Sequence, residues 1–159
     1  LVTGIGIDAM AVAEVERRRS GPIRMSSYVR AMLAIVRGYR EPKLRVQLDG
    51  EELEGTFGLV LTANSENYGG IFHLSPDTRL DDGQFEVYLL RRASRLGLAM
   101  MALRAFLARL PGGKVQMRRA RRIDVTSDQP VPVQVDGDLR GTTPVTVEVA
   151  DVRYRILVP

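Results

Sequence analysis

Leu44-Arg45-Val46-Gln47-Leu48-Asp49-Gly50 decides the fold. Apolar residues at 44, 46 and 48 alternate with polar ones at 45 and 47, the period of a strand with one buried face. Asp49-Gly50 then supplies two residues that tolerate positive φ, the signal for a two-residue hairpin turn. Outward from this hairpin the same signals recur. Residues 57–63 form a continuous apolar run, which predicts a strand buried on both faces. Short strands are expected at 72–74, 85–90, 115–118, 122–126, 131–135, 145–149 and 154–158. Loops are expected at 64–70 and 75–83, with turns at Asp136-Gly137 and over residues 141–144.

Upstream, residues 1–8 read as a glycine-containing strand. A helix is expected over 9–19, with Asp8 as its N-cap. Ser20-Gly21-Pro22 breaks it. A second, amphipathic helix is expected to about residue 37, capped by Ser26 or Ser27, because Val29, Met32, Leu33 and Val36 fall at helical spacing. A third, over 96–110, is apolar almost all round apart from Arg104 and Arg109, which implies burial on more than one side. About half of the chain is then strand, well above the ordinary share. The expected fold is mainly β: a β-sandwich with two or three peripheral helices, α+β by content, in a single domain.

Composition excludes several chemistries. There is no Cys, so no thiolate nucleophile, disulfide or Cys-based zinc site exists. His73 is the only histidine, which removes His triads and multi-His metal sites. A net charge of +4 comes almost wholly from Arg, with Lys43 and Lys114 the only lysines. Arg forks two donors onto phosphate or carboxylate, so phosphate or an anionic membrane surface fits as well as nucleic acid. Aromatics are only 6% of the chain, which argues against a nucleic-acid partner despite a pI near 9.8. The 96–110 segment is too short and too charged to span a bilayer. The chain opens at Leu1 directly in strand-like sequence, which is expected of a segment cut from a longer protein.

Read by pattern alone, Asp8, Asp81, Asp82, Asp136 and Asp138 sit at turns, where Asp and Gly are the commonest residues. Four segments together say more. Gly4-Ile5-Gly6-Ile7-Asp8-Ala9, the run Asn64-Ser65-Glu66-Asn67-Tyr68-Gly69-Gly70, the run Arg79-Leu80-Asp81-Asp82-Gly83 and Val135-Asp136-Gly137-Asp138 occur in this order. In that order they resemble the C-terminal domain of the diacylglycerol kinase and bacterial lipid kinase family, which includes sphingosine-kinase relatives. The closing Leu157-Val158-Pro159 also fits.

The resemblance implies a β-sandwich half of a two-domain enzyme that transfers the γ-phosphoryl of ATP to a lipid hydroxyl. It implies a catalytic carboxylate at Asp138, matching the Glu of the family's V-D-G-E motif, with Asp136 as an acidic neighbour able to share the role. A carboxylate in hydrogen-bond reach accepts the hydroxyl proton as the new P–O bond forms. Asp is one methylene shorter than Glu, so its reach is reduced. Substrate-binding positions are implied at Asp8, Asn64, Tyr68 and Gly69. A structural Mg²⁺ loop is implied, held by Asp82 with the carbonyls of Arg79 and Gln84, the oxygen donors a hard cation takes. The alternative for that loop is a tight Asp-Gly turn without metal.

The implied partners are a diacylglycerol-like or sphingoid lipid, an N-terminal ATP-binding domain and a peripheral membrane surface, with no nucleic acid; separately, an exposed sheet edge could pair with a second copy. The implied location is cytoplasmic and peripherally membrane-associated. Arg17-Arg18-Arg19 and the basic run 118–122 are candidates for lipid headgroups or for plain solvated surface. The family's G-G-D-G-T nucleotide loop does not occur here, and Gly4-Ile5-Gly6 does not replace it. The chain alone is therefore expected to lack kinase activity. The competing expectation is a non-catalytic lipid-binding or interaction module of the same fold.

Overall fold

A computed structural model describes residues 1–17, 41–68, 72–74, 78–79, 82–91 and 115–151. The expected helices at 26–37 and 96–110 and the strand at 154–158 lie outside the described residues, as does Gly69. The described residues are mainly β. In chain order they form β1 (Val2–Gly6), α1 (Ile7–Arg17), β2 (Leu44–Leu48), β3 (Glu51–Glu52), β4 (Leu59–Ala63), β5 (Asn67–Tyr68) and β6 (Phe72–His73). Then follow β7 (Phe85–Leu90), β8 (Val115–Ala120), β9 (Arg122–Ser127), β10 (Pro132–Val135), β11 (Asp138–Thr142) and β12 (Val145–Glu148).

Two antiparallel sheets result. One has six strands in the order β11-β10-β1-β4-β7-β8, the other four in the order β12-β9-β2-β3, and β5 pairs with β6 separately. β2 alternates buried and exposed as its sequence demands, and β4 is buried throughout. Ile5, Val60 and Leu89 of the larger sheet pack against Val46, Ile123 and Val125 of the smaller one. Each such aliphatic side chain contributes about 1.5–3 kcal/mol on removal from water. The opposite face of the larger sheet is also apolar, with Val2, Leu61 and Tyr88 gathered beside Ile7.

Both Asp-Gly turns form as the sequence predicts. Asp49 and Gly50 have φ of 50° and 89°, and Asp136 and Gly137 have 49° and 92°. Positive φ at both central residues is the twist-matched geometry for a two-residue hairpin. Between β8 and β9 a single residue, Arg121, carries the chain from the larger sheet to the smaller. The Asp49 carboxylate secures that passage, accepting from the backbone N–H of Arg121 (3.0 Å) and Arg122 (2.8 Å).

Three expectations are corrected. The first helix begins at Ile7, so Asp8 lies inside its first turn and is not the N-cap. Gly6, at φ 95°, turns the strand straight into the helix, and Asp8 keeps the favourable charge sign for a helix start. Residues 67–68 are strand rather than loop, paired Asn67↔His73 and Tyr68↔Phe72, with the Leu74 N–H closing onto the Glu66 carbonyl at 2.9 Å. Gly141 and Thr142 belong to β11 rather than to a turn.

Candidate functional site

The strand registers bring three of the four sequence segments to one end of the six-stranded sheet. Asp138 pairs with Val135, Val135 with Thr3, and Thr3 with Thr62. Alongside that row Val2 pairs with Ala63, Ala63 with Glu86, and Glu86 with Arg119. The Asp136-Gly137 turn, the start of the 64–70 segment and the loop entering β7 therefore share this end. Four strand spacings separate β11 from β7, so Asp138 and the Asp82 loop stand roughly 19 Å apart.

At the β10–β11 turn the two acidic residues have different surroundings. Asp136 is tied to the start of β1: its Oδ1 accepts from the Val2 N–H (2.8 Å), and its own N–H donates to the Val2 carbonyl (2.9 Å). Asp138 opens β11 with 72% of its side chain exposed, and its Oδ2 has the Arg140 guanidinium at 3.4 Å. Asp136 holds backbone, and Asp138 presents a carboxylate.

Asp8 is brought to the same turn from below. Its Oδ2 accepts from Gln134 Nε2 at 2.8 Å, and Gln134 Oε1 accepts from the Gly137 N–H at 2.7 Å. Gln134 is fully buried. Gly4 makes the contact feasible, since a Cβ there would lie 1.9 Å from Asp8 Oδ2 and 2.6 Å from Gln134 Nε2. Sequence reasoning missed Gln134. The signal was its place between Val133 and Val135, which puts a polar side chain on the face opposite the valines.

On β4 the Thr62 hydroxyl, in a residue only 1% exposed, has no hydrogen-bond partner. The buried Asn64 Oδ1 just beyond the strand likewise has none, while the Asn64 N–H donates to the Leu1 carbonyl at 3.0 Å. Unpaired buried polar atoms are costly, and both belong to the end of the sheet that carries Asp138. Tyr68 enters as backbone of β5, paired with Phe72.

At the loop before β7, Asp82 Oδ1 accepts from the Gln84 N–H at 3.0 Å across Gly83, which has φ 69°. Asp82 and Gln84 are both exposed, as is Arg79. One carboxylate with main-chain carbonyls is an oxygen-only donor set, the type that suits a hard cation. No cluster of three acidic or His side chains suited to a metal occurs among the described residues. Nearby, the buried Glu86 carboxylate bonds the Thr78 hydroxyl and faces Arg119 at 3.4 Å.

The basic run 118–122 is largely engaged. Arg119 faces Glu86, Arg121 faces Asp151 (3.8 Å), and Arg122 faces Asp124 (2.9 Å) and Glu148 (3.1 Å). Arg17 pairs with Glu14 at 2.8 Å, while residues 18–19 lie outside the described residues. No helix among the described residues is long and apolar enough to cross a membrane.

The family model described as "YegS C-terminal NAD kinase beta sandwich-like domain" matches residues 2–158. A diacylglycerol kinase of Staphylococcus carnosus (strain TM300) is 29% identical over 102 residues, 64% of this chain and 33% of that protein. A diacylglycerol kinase of Bacillus subtilis (strain 168) is 25% identical over 124 residues, 76% of this chain and 40% of that protein. The crystal structure of a diacylglycerol kinase from Bacillus anthracis str. Sterne superimposes with a TM-score of 0.62 at 22% identity, covering 92% of this chain and 47% of that one. The chain thus matches less than half the length of each of these relatives.

Proposed function

This chain belongs to the YegS C-terminal NAD kinase beta sandwich-like domain family, and on that premise we propose that it is the lipid-side half of an ATP-dependent lipid kinase. Its relatives are named diacylglycerol kinase, and a diacylglycerol-like or sphingoid alcohol is the proposed acceptor. Asp138 accepts the proton of that hydroxyl. The hydroxyl oxygen bonds to the γ-phosphorus of ATP as the bond to the β,γ-bridging oxygen breaks, releasing ADP. ATP is presented by a separate nucleotide-binding lobe, so the chain by itself does not turn over ATP.

One observation supports the assignment above the others. The turn before Asp138 is tied through Asp136 to Val2 and through Gly137 to Gln134, while the Asp138 carboxylate stays exposed. A fixed backbone with an accessible carboxylate is what proton transfer to a positioned base requires. The unpartnered Thr62 and Asn64 oxygens are proposed contacts for the polar part of the lipid, Tyr68 and Gly69 of the 64–70 segment are further proposed contacts, and Asp8 is proposed to act through Gln134 rather than on the lipid. Mg²⁺ in the loop of Asp82, Arg79 and Gln84 would brace the entry to β7. At roughly 19 Å from Asp138 by strand spacing, it would act on structure rather than on the phosphoryl group. The proposed setting is a membrane surface approached from the cytoplasm.

The test is lipid-dependent ATP turnover by the full-length protein with Asp138→Asn against wild type. Losing a positioned base should cost about 10²–10⁴ in kcat, and Asp138→Glu should retain activity. Undiminished turnover by Asp138→Asn rules out the base. The approach of Arg140 to Asp138 favours a second reading, a lipid-binding module in which this carboxylate is an ion-pair partner. Lipid binding without ATP turnover by the full-length protein would select it.

A further inference from the structure

We infer that Gln134, oriented by Asp8, is a positioning residue for Asp138. The inference rests on the proposed role of Asp138 and concerns how that carboxylate is aimed.

Gln134 is 0% exposed, in a strand whose neighbours at 131 and 133 are core valines. An apolar residue would fill that volume without a polar group to satisfy. A buried amide must instead place both of its ends. A backbone N–H can only donate, so Oε1 must face Gly137. That leaves Nε2 facing Asp8, whose carboxylate can only accept. These two contacts set the orientation of the amide. Gly4, lacking a Cβ, leaves the space in which they meet.

The consequence falls on the turn. In a two-residue hairpin the central amides point away from the strand ladder. Here Asp136 is tied to Val2 and Gly137 to Gln134, so both central residues are held from outside the hairpin. Asp138 follows directly. Its backbone begins one peptide beyond the 136–137 plane that Gln134 holds. A base displaced by an ångström loses rate far more than affinity. Asp8 thus links the start of α1 to Gln134, 126 positions away, and through it to the turn.

The experiment uses the full-length protein. Gln134→Met keeps the volume and removes both hydrogen bonds. We expect kcat to fall by about tenfold to a hundredfold with little change in the KM for lipid, and amide exchange at Gly137 to accelerate while residues 59–63 stay protected. Gln134→Glu should also lose kcat, because it sets two carboxylates against each other. Adding Asp8→Asn reverses the donor and acceptor between these side chains and leaves Oε1 for Gly137. The double variant should recover kcat, a rescue that a merely space-filling role does not give. It also decides the matter if Gln134→Met fails to fold. Wild-type kcat in Gln134→Met, or no recovery in the double variant, while Asp138→Asn is inactive, overturns the positioning role and leaves the base in place. An active Asp138→Asn removes the base, and the positioning role with it.

Discussion

Asp8 and Gln134 meet through a 2.8 Å hydrogen bond directly above the α-carbon of Gly4. A methyl group at residue 4 would occupy the space of both side chains. Gly4→Ala is therefore expected to destabilise by about 1–3 kcal/mol, the usual cost of overpacking a filled site. For a domain of this size that is about 2–4 °C in Tm per kcal/mol. Asp8→Ala removes one of the clashing groups, so the losses in Gly4→Ala and Asp8→Ala should not add. Thermal unfolding of the two single variants and the double checks this, and strict additivity would refute the shared contact.

Asp49 ties the β2–β3 turn to Arg121 and Arg122, where the chain passes from β8 in one sheet to β9 in the other. Its carboxylate takes two backbone N–H groups, and its own φ is 50°. Asp49→Ala loses both bonds and sets a residue with a Cβ and no local hydrogen bond at positive φ. About 1–3 kcal/mol is expected from these causes together. Asp49→Asn should cost clearly less, since Asn tolerates positive φ and retains an acceptor oxygen. Urea unfolding of the two variants separates them. Equal losses would show that the carboxylate's charge, rather than its hydrogen bonding, matters.

These two aspartates also mark how far the residues could be read in advance. Asp49-Gly50 announces its turn, because the requirement for positive φ is local and only a few residue types meet it. The alternation of 44–48 and the apolar run ending at Ala63 are likewise local, and the strands follow. β11 was not legible. Asp138–Thr142 is a polar edge strand with no residue fully buried, so it carries no period-two signal, and β10 supplies its pairing. Asp8 looked like a helix cap because its partner, Gln134, is remote in sequence and invisible to local rules. By pattern alone Asp136 and Asp138 were both turn residues, and the resemblance placed Asp138 first with Asp136 able to share its role. The fold separates their surroundings, setting Val2 against one and solvent beside the other.

Asp124 gives the structure an acid-sensitive pair. Hydrogen bonds from Arg122, and secondarily from Thr146, hold its carboxyl below the ordinary Asp range. A group whose folded pKa is depressed stabilises the fold above its unfolded value, about 3.9 for Asp. That contribution is lost as pH falls through the folded value, because the unfolded chain takes up the proton first. Asp124→Asn should lower Tm at neutral pH, and the gap from wild type should close on acidification below about pH 4. Melting curves of both proteins from about pH 6 to about pH 3 measure it. A gap that stays constant across this window would show that the charge of Asp124 contributes nothing.

Asp82 separates a metal loop from a plain turn by a readout that needs no turnover. Its Oδ1 already accepts the Gln84 N–H, so the turn closes on its own hydrogen bond. A cation on the remaining carboxylate oxygen and the Arg79 and Gln84 carbonyls would bind the folded state alone. At ten times its Kd it would add about 1.4 kcal/mol of stability by mass action. Mg²⁺ should then raise Tm in the full-length protein, and EDTA should reverse the rise. Asp82→Asn keeps an oxygen for the Gln84 N–H while removing the charge that draws the ion. It should therefore melt close to the metal-free wild type and respond to neither addition. A wild type equally indifferent to Mg²⁺ and EDTA would identify the loop as an Asp-Gly turn, held by backbone geometry and that one hydrogen bond.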